Sequence, residues 1–291
     1  MKDADSDAHG QTMRSAIALA GGIKRSLRDS PLRRPLLRAL SLVRRLAHAP
    51  AGIYTLCYHH IPAVHQRSFA RQLDYLGRHG AFISVDQAVA LLHAGKAISG
   101  RHFVVSVDDG YADLVDVALP VLAECGIPAI AFIVASWLDN PPGTATGRAD
   151  SYVSRADLET WCRAGMLVGS HSYTHTHLIG LPERELSDEL RHSSATLAQV
   201  TGRMPRHFAC PWGVPGRDFR PELTARLAES AGYVSLFTTL RGHATGAADL
   251  WLMPRHVAEP EWSLSELDAL IGAYPFVGPS TDQGRSRSTG Q

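Results

Sequence analysis

The sequence predicts an α/β protein whose parallel strands and helices alternate around a closed or nearly closed barrel. Strand-like and helix-like segments follow one another from Ala51 onward, which is typical of βα units and parallel sheets. Roughly six to eight such units are enough to close a barrel. The chain has 291 residues, of which 45% are hydrophobic, so it can bury one full core and still carry extensions.

The elements can be justified in chain order. The strand-like segments are rich in β-branched and aromatic residues, and the helix-like segments are amphipathic and often end at glycine. The predicted strands are GIYTLCYHHI, AFISV, the FVVSVDD segment, PAIAFIVA, MLVGSHS, HFACPWG, YVSLFTT and a last one near LMPRHVA. The predicted helices are SFARQLDYLGRHG, VDQAVALLHAG, LVDVALPVLAECG, SRADLETWCRAG, PERELSDELRHSSATLAQVTG and RPELTARLAESAG.

Two adjacent carboxylates end the third predicted strand. Residues 103–107 are mostly apolar, and Asp108 and Asp109 follow them directly, before Gly110. Neighbouring side chains on a strand point to opposite faces, so the two carboxylates can converge only where the chain turns, and glycine permits such a turn. Two anions repel each other and resist burial, so a cation is expected nearby. The alternative is that Asp109 caps a helix and Asp108 is solvated.

A pair of histidines in the segment GSHSYTHTHL supplies a partner for these carboxylates. His171 and His175 are four residues apart, about one helical turn, and can face a common metal ion, although some of the 15 histidines will have this spacing by chance. With Asp109 they form a nitrogen and oxygen donor set suited to zinc. Asp108 would remain beside the ion as a general base, with His177 just outside the ligands.

Three motifs in this order resemble those of the polysaccharide deacetylase family, also called the NodB-homology or carbohydrate esterase 4 family. SVDDG at 106–110 is similar to the family's T-F-D-D-G, HSYTH at 171–175 to H-[ST]-x-x-H, and FACPWG at 208–213 to F-A-Y-P-[YF]-G. The likeness covers roughly residues 53–258. It implies a distorted (β/α) barrel of the NodB-homology type and a metal-dependent carbohydrate N-deacetylase.

The resemblance also implies residue roles. Asp108 matches the general base, and one divalent metal ion, expected to be zinc, would be held by Asp109, His171 and His175. The metal polarises an N-acetyl carbonyl in this scheme, and a backbone N–H near Cys210 and Pro211 helps to hold the oxyanion. Because proline has no N–H, Cys210 is the expected donor.

The chain departs from the family pattern in three places. Ala209 stands where many relatives have an arginine, and Arg255 is expected to supply that charge from a neighbouring strand. Cys210 replaces the usual tyrosine. The late L-x-H motif that provides the acid is missing, so His256 at a strand end is the candidate acid, with a surface histidine as the alternative. The substrate and oxyanion region is expected to include Cys210, Pro211, Trp212, Arg255 and His59.

The ends of the chain differ from the predicted catalytic domain, residues 51–277. Residues 1–50 form an N-terminal extension, and residues 14–45 contain nine basic residues and one acidic residue, a net charge of +8. Leu32, Leu36, Leu40 and Val43 are three or four residues apart, and arginines share the opposite face, so a basic amphipathic helix is predicted from about Leu32 to Leu46. Such a helix either lies on an anionic membrane surface or packs on its own domain. By composition, residues 1–50 are expected to be partly disordered and residues 278–291 to be a disordered tail.

Composition limits the remaining function classes. The net charge of +1 argues against nucleic acid as a partner. The four cysteines form no CxxC pair and no apolar run approaches transmembrane length, so we expect a cytoplasmic protein, peripheral to the inner membrane face if the helix binds lipid. A glycan or lipid-linked sugar is the expected substrate. The alternatives are an amidase or deformylase acting on another N-acyl group, and a non-catalytic carbohydrate-binding relative.

Overall fold

A computed structural model of the protein describes residues 50–143, 147–148 and 151–271, together with Pro35. Contacts divide the chain into two units, Met1–His48 and Ala49–Gln291. Apart from Pro35, the first unit lies outside the described residues, and so do the predicted basic helix and the predicted tail. The architecture below therefore concerns the second unit.

Eight strands form one sheet that is nearly closed into a barrel, which confirms the predicted fold class. The sheet runs in the order β7-β6-β5-β4-β3-β1-β8, and the short β2 pairs with β3. Every strand pairing is parallel. The strands are β1 Gly52–Tyr58, β2 Ala81–Phe82, β3 Arg101–Asp109, β4 Ala129–Ile133, β5 Leu167–Ser170, β6 His207–Ala209, β7 Ser235–Phe237 and β8 Arg255–Val257.

Seven α-helices of the described residues connect or follow these strands. They are α1 Gln66–Gly77, α2 Val85–His93, α3 Leu119–Glu124, α4 Arg155–Arg163, α5 Glu183–Thr201, α6 Pro221–Ser230 and α7 Leu264–Ile271. Several begin with the expected caps: the Ser154 side chain accepts a hydrogen bond from Asp157 N at the start of α4, for example. Among the helices of the described part, none has the length and apolarity needed to cross a bilayer.

The barrel closes through backbone contacts rather than through a regular strand pair. β7 and β8 are the two ends of the strand order. Between them, the Met253 N–H donates to Leu236 O at 2.8 Å, and the Met253 carbonyl accepts from Thr238 N at 2.9 Å. Phe237 and Met253 form an isolated parallel bridge at this point. The barrel is therefore closed irregularly, as expected for a distorted barrel.

Three elements differ from the predictions for local reasons. The predicted strand AFISV is only two residues long, because Ser84 already caps α2 by accepting a hydrogen bond from Gln87 N. The helix predicted from Leu114 begins as a π-turn and becomes α3 only after Ala118, because Pro120 has no N–H to donate to the preceding turn. The helix α7 was not predicted, although its start carries the S-x-x-E capping pattern.

The alternation of side chains along β1, β3 and β8 positions the site. On β3, Phe103, Val105 and Val107 pack in the cluster beneath the helices, whereas Ser106 and Asp108 face the barrel interior, where both contact Arg255. All seven residues of β1 are buried, as expected for a parallel strand covered on both faces. Polar side chains on the inner face therefore meet in the barrel at the carboxyl ends of the strands.

Candidate active site and metal centre

Asp109, His171 and His175 come together at the carboxyl ends of β3 and β5. Asp109 Oδ1 lies 3.5 Å from His171 Nε2 and 3.4 Å from His175 Nε2. The ligand atoms of the three residues all lie within 4.8 Å of one another. The structure thus brings the three predicted ligands to one place.

The arrangement fits a divalent metal ion. Nitrogen and oxygen ligands about 2.1 Å from a tetrahedral zinc ion are about 3.4 Å apart, which matches the separations from Asp109 Oδ1 to the two imidazoles. Asp109 Oδ1 is buried and accepts no hydrogen bond from the residues that the structure describes. A buried carboxylate oxygen without a donor is costly, and a cation between these three atoms would satisfy it.

The two histidines converge through a tight loop. The prediction that they are brought together by one turn of a helix was wrong. Ser172 and His175 have positive φ angles of 65° and 62°. The Ser172 hydroxyl accepts a hydrogen bond from His175 N at 2.9 Å. Glu189 on α5 accepts hydrogen bonds from the N–H groups of Tyr173 and Thr174 at 2.8 and 3.0 Å. These contacts hold the loop so that both Nε2 atoms face Asp109.

His171 is oriented for ligation by a hydrogen bond on its other nitrogen. Its Nδ1–H donates to the carbonyl of Ala209 at 2.8 Å, because a carbonyl can only accept, and Nε2 is left with a free lone pair. Burial lowers the pKa of His171 to about 4, although Asp108 and Asp109 act in the opposite direction. The imidazole is therefore neutral near pH 7, as a ligand must be.

Asp108 forms an ion pair with Arg255 of β8. Its Oδ1 accepts a hydrogen bond from Arg255 Nη1 at 2.7 Å, and both side chains are almost completely buried. Burial alone would raise the pKa of Asp108, but the Arg255 charge, assisted by His171 and His59, outweighs it and keeps that pKa well below its usual value. Asp108 is thus ionised and fixed in orientation, and it is not the solvated residue of the capping alternative.

One cavity of about 390 Å³ contains these groups. Four lining residues were not predicted from the sequence, namely Val214, Arg217, Thr239 and Val257. They come from the loops after β6 and β7 and from β8, and they belong to no motif that the sequence pattern identifies. The lining also includes the predicted residues His59, Asp108, Asp109, His171, His175, Cys210, Trp212 and Arg255.

The third motif places its backbone differently from the expectation. The Cys210 N–H donates to Phe237 O at 3.1 Å, so it belongs to the sheet and is not available to an oxyanion. Pro211 has no N–H. No acceptor of the Trp212 N–H is found within the described part of the chain, and Trp212 has a positive φ of 55°. Trp212, rather than Cys210, is the backbone donor that this loop leaves available.

His256 does not reach the cavity, contrary to its assignment as the acid. It follows Arg255 on β8, so its side chain points to the opposite face of the sheet. It is buried, its Nε2 is 2.8 Å from Gly242 O, and its ring stacks on that of Tyr54 with a centroid distance of 6.0 Å. The surface-histidine alternative is also wrong, because His256 is only 2% exposed. His59, by contrast, lines the cavity.

Replacing His171 by alanine is expected to remove the metal ion, because the variant loses one of three ligands. The matched control is His177→Ala, since His177 stacks on Trp212 with a centroid distance of 3.6 Å and lies outside the ligand group. Metal content after dialysis would be measured by elemental analysis, and folding by circular dichroism. Stoichiometric metal in a folded His171→Ala protein would contradict the assignment.

Comparisons with known proteins point to one family. Residues 96–235 match the family model described as polysaccharide deacetylase. YxkH of Bacillus subtilis (strain 168), named after the same family, is 24% identical over 228 residues, which cover 76% of this chain and 77% of YxkH.

Solved structures show the same fold. IcaB from Ammonifex degensii has a TM-score of 0.66 and 25% identity, with 77% of this chain and 99% of that chain covered. The deacetylase PplD of Streptococcus pyogenes has a TM-score of 0.64 and 19% identity, with 77% and 100% covered. Taken together with the three motifs, these findings show that residues 96–235 match the polysaccharide deacetylase family model and that the chain has the fold of these structures.

Proposed function

We propose that this protein is a metal-dependent hydrolase that removes N-acetyl groups from a glycan or glycoconjugate containing N-acetylhexosamine. The observation that carries the proposal is the presence, in one cavity, of the Asp109, His171 and His175 donor set beside an ionised Asp108. The match of residues 96–235 to the polysaccharide deacetylase family model supports the class of substrate. The amidase and non-catalytic alternatives have no observation of their own in the described residues.

The three ligands and the base have separate tasks. A divalent ion held by Asp109, His171 and His175 would supply Lewis acidity to the acyl oxygen when bound, and zinc is our proposal for its identity. Asp108 accepts a proton from the attacking water. Arg255 keeps Asp108 ionised and directs it, because the pair leaves Oδ2 as the carboxylate atom not engaged by the guanidinium.

Two further groups act on the substrate. The Trp212 N–H donates a hydrogen bond to the developing oxyanion, a role that needs a backbone donor without an acceptor of its own. The amine must be protonated before it leaves. Of the three imidazoles that line the cavity, His59 alone is not a proposed ligand, so we assign the acid to His59 in place of His256.

Asp108→Asn is expected to lower the rate of acetate release by about 10²–10⁴-fold, the usual contribution of a positioned acid or base. The metal content should stay unchanged, because Asp108 is not one of the three ligands. Acetate would be measured on a series of N-acetylhexosamine oligomers, beside elemental analysis of each protein. Undiminished turnover in the variant would show that another residue activates the water, and no acetate from the wild type on any oligomer would contradict the proposed substrate class.

Arg255→Met is expected to move the acidic limb of the pH–rate profile to higher pH. Without the Arg255 charge the pKa of Asp108 rises, and activity requires ionised Asp108, so activity is lost at a higher pH as the solution is acidified. Arg255→Lys retains the charge and serves as the control. The methionine variant also leaves a buried charge unpaired and should be less stable by about 3–5 kcal/mol. Identical acidic limbs in all three proteins would show that Arg255 does not set the ionisation of Asp108.

We further propose, from the sequence alone, that the protein is cytoplasmic and that its basic N-terminal helix contacts an anionic membrane. This location would suit a lipid-linked sugar as substrate. Binding to liposomes is expected to need anionic lipid and to weaken with salt, because each arginine near the headgroups contributes about 1 kcal/mol. Co-sedimentation of the full chain would be compared with that of a chain starting near Ala49. Equal behaviour of the two proteins would contradict membrane contact.

A further inference from the structure

A second group of ligand atoms lies directly beside the first. Cys57, His59 and Asp108 each offer one ligand atom, and these atoms lie within 4.8 Å of one another. The Cys57 thiol lies 3.4 Å from Asp108 Oδ2. Because Oδ1 of Asp108 is engaged by Arg255, Oδ2 is the carboxylate atom that remains for a second partner.

The fold places this group at the same edge of the barrel as the active site. Cys57 lies near the end of β1, where its thiol contacts Asp108, and His59 follows the strand directly and lines the cavity. β1 pairs with β3 in parallel register, with Cys57 opposite Ser106, and Asp108 lies two residues further along the inner face of β3. Asp108 Oδ2 is 3.9 Å from His171 Nε2, so the two ligand groups adjoin each other at this carboxylate.

The donor set of this group differs from that of the first. A thiolate, an imidazole and a carboxylate suit zinc and the softer cadmium ion, whereas magnesium and calcium prefer oxygen ligands alone. The Cys57 thiol is buried and burial raises its pKa, so an incoming ion has to displace the thiol proton to bind the sulfur. His59 lines the open cavity and gives a path for entry.

We propose that Cys57, His59 and Asp108 form a second, inhibitory site for a thiophilic divalent cation such as Zn²⁺ or Cd²⁺. Binding forms a sulfur–metal bond and releases the thiol proton to solvent, with no change in oxidation state. The bound ion engages Oδ2 of Asp108 and the ring of His59, so neither can transfer a proton. Metal in excess of one equivalent would therefore stop the enzyme. The site itself is independent of the proposed deacetylation, whereas its inhibitory effect rests on that proposal.

The binding test uses the full-length protein already loaded with one equivalent of zinc. Cd²⁺ or Zn²⁺ would be added under equilibrium dialysis, and cadmium–thiolate bonds would be followed by their ultraviolet charge-transfer absorption. We expect a second bound equivalent and the charge-transfer band in the wild type. Both should be lost in Cys57→Ser and Cys57→Ala, while the first equivalent is retained as evidence of folding. Cys125→Ala, which removes an exposed thiol, should behave like the wild type.

The activity test is separate. In Cys57→Ser we expect inhibition to need at least about 10–100-fold more zinc than in the wild type. Substitution of residues that only surround the metal ligands already lowers metal affinity by about this factor. A second equivalent or a charge-transfer band that persists in both Cys57 variants, or that is missing from the wild type, would overturn the site. Absence of deacetylase activity on every oligomer would leave the binding result standing and would count only against the proposed function.

Discussion

The buried pair of Asp108 and Arg255 is the interaction on which the rest of the site depends. Arg255 is fully buried, and further hydrogen bonds offset the cost of burying this ion pair, although Nη2 of Arg255 has no partner among the described residues. Arg255 Nε donates to Thr238 O at 2.9 Å and Nη1 to Asp108 at 2.7 Å, with Ser106 Oγ at 3.4 Å. These contacts join β8 to β3 and to the end of β7. One side chain therefore supports both the closure of the barrel and the charge of the proposed base.

The backbone around the cavity is strained in a consistent way. In the part of the chain that the structure describes, four residues other than glycine have φ angles between 55° and 69°, namely Asp109, Ser172, His175 and Trp212. Such conformations cost free energy and persist only where surrounding contacts impose them. Glu189 holds the histidine loop, and the Thr239 hydroxyl donates to Trp212 O at 2.7 Å. Asp109, His175 and Trp212 line the cavity and Ser172 holds the backbone of His175, so the strained conformations orient the donors and acceptors of the site.

The fold and the main donor groups could be predicted because each has a local signal. Parallel strands buried on both faces read as apolar runs, so β1, β3 and β4 were predicted close to their observed bounds. A carboxylate pair at a strand end and two histidines in a short segment are also visible in the chain itself. The short edge β2 and the π-turn before α3 were harder to predict, because capping by Ser84 and the missing N–H of Pro120 act against the longer pattern.

By itself, then, the sequence determined the fold class, the three proposed metal ligands and the position of the proposed base at the end of β3. Only the tertiary structure decided which residues pair with the proposed base and which backbone N–H is left free in the cavity. Arg255 and His256 are adjacent, yet alternation along β8 turns the first toward Asp108 and the second toward Tyr54. Cys210 loses its N–H to the carbonyl of Phe237 on β7. These outcomes depend on strands that are far apart in the chain. A local pattern of residues does not specify the register of such strands or which of their faces meet.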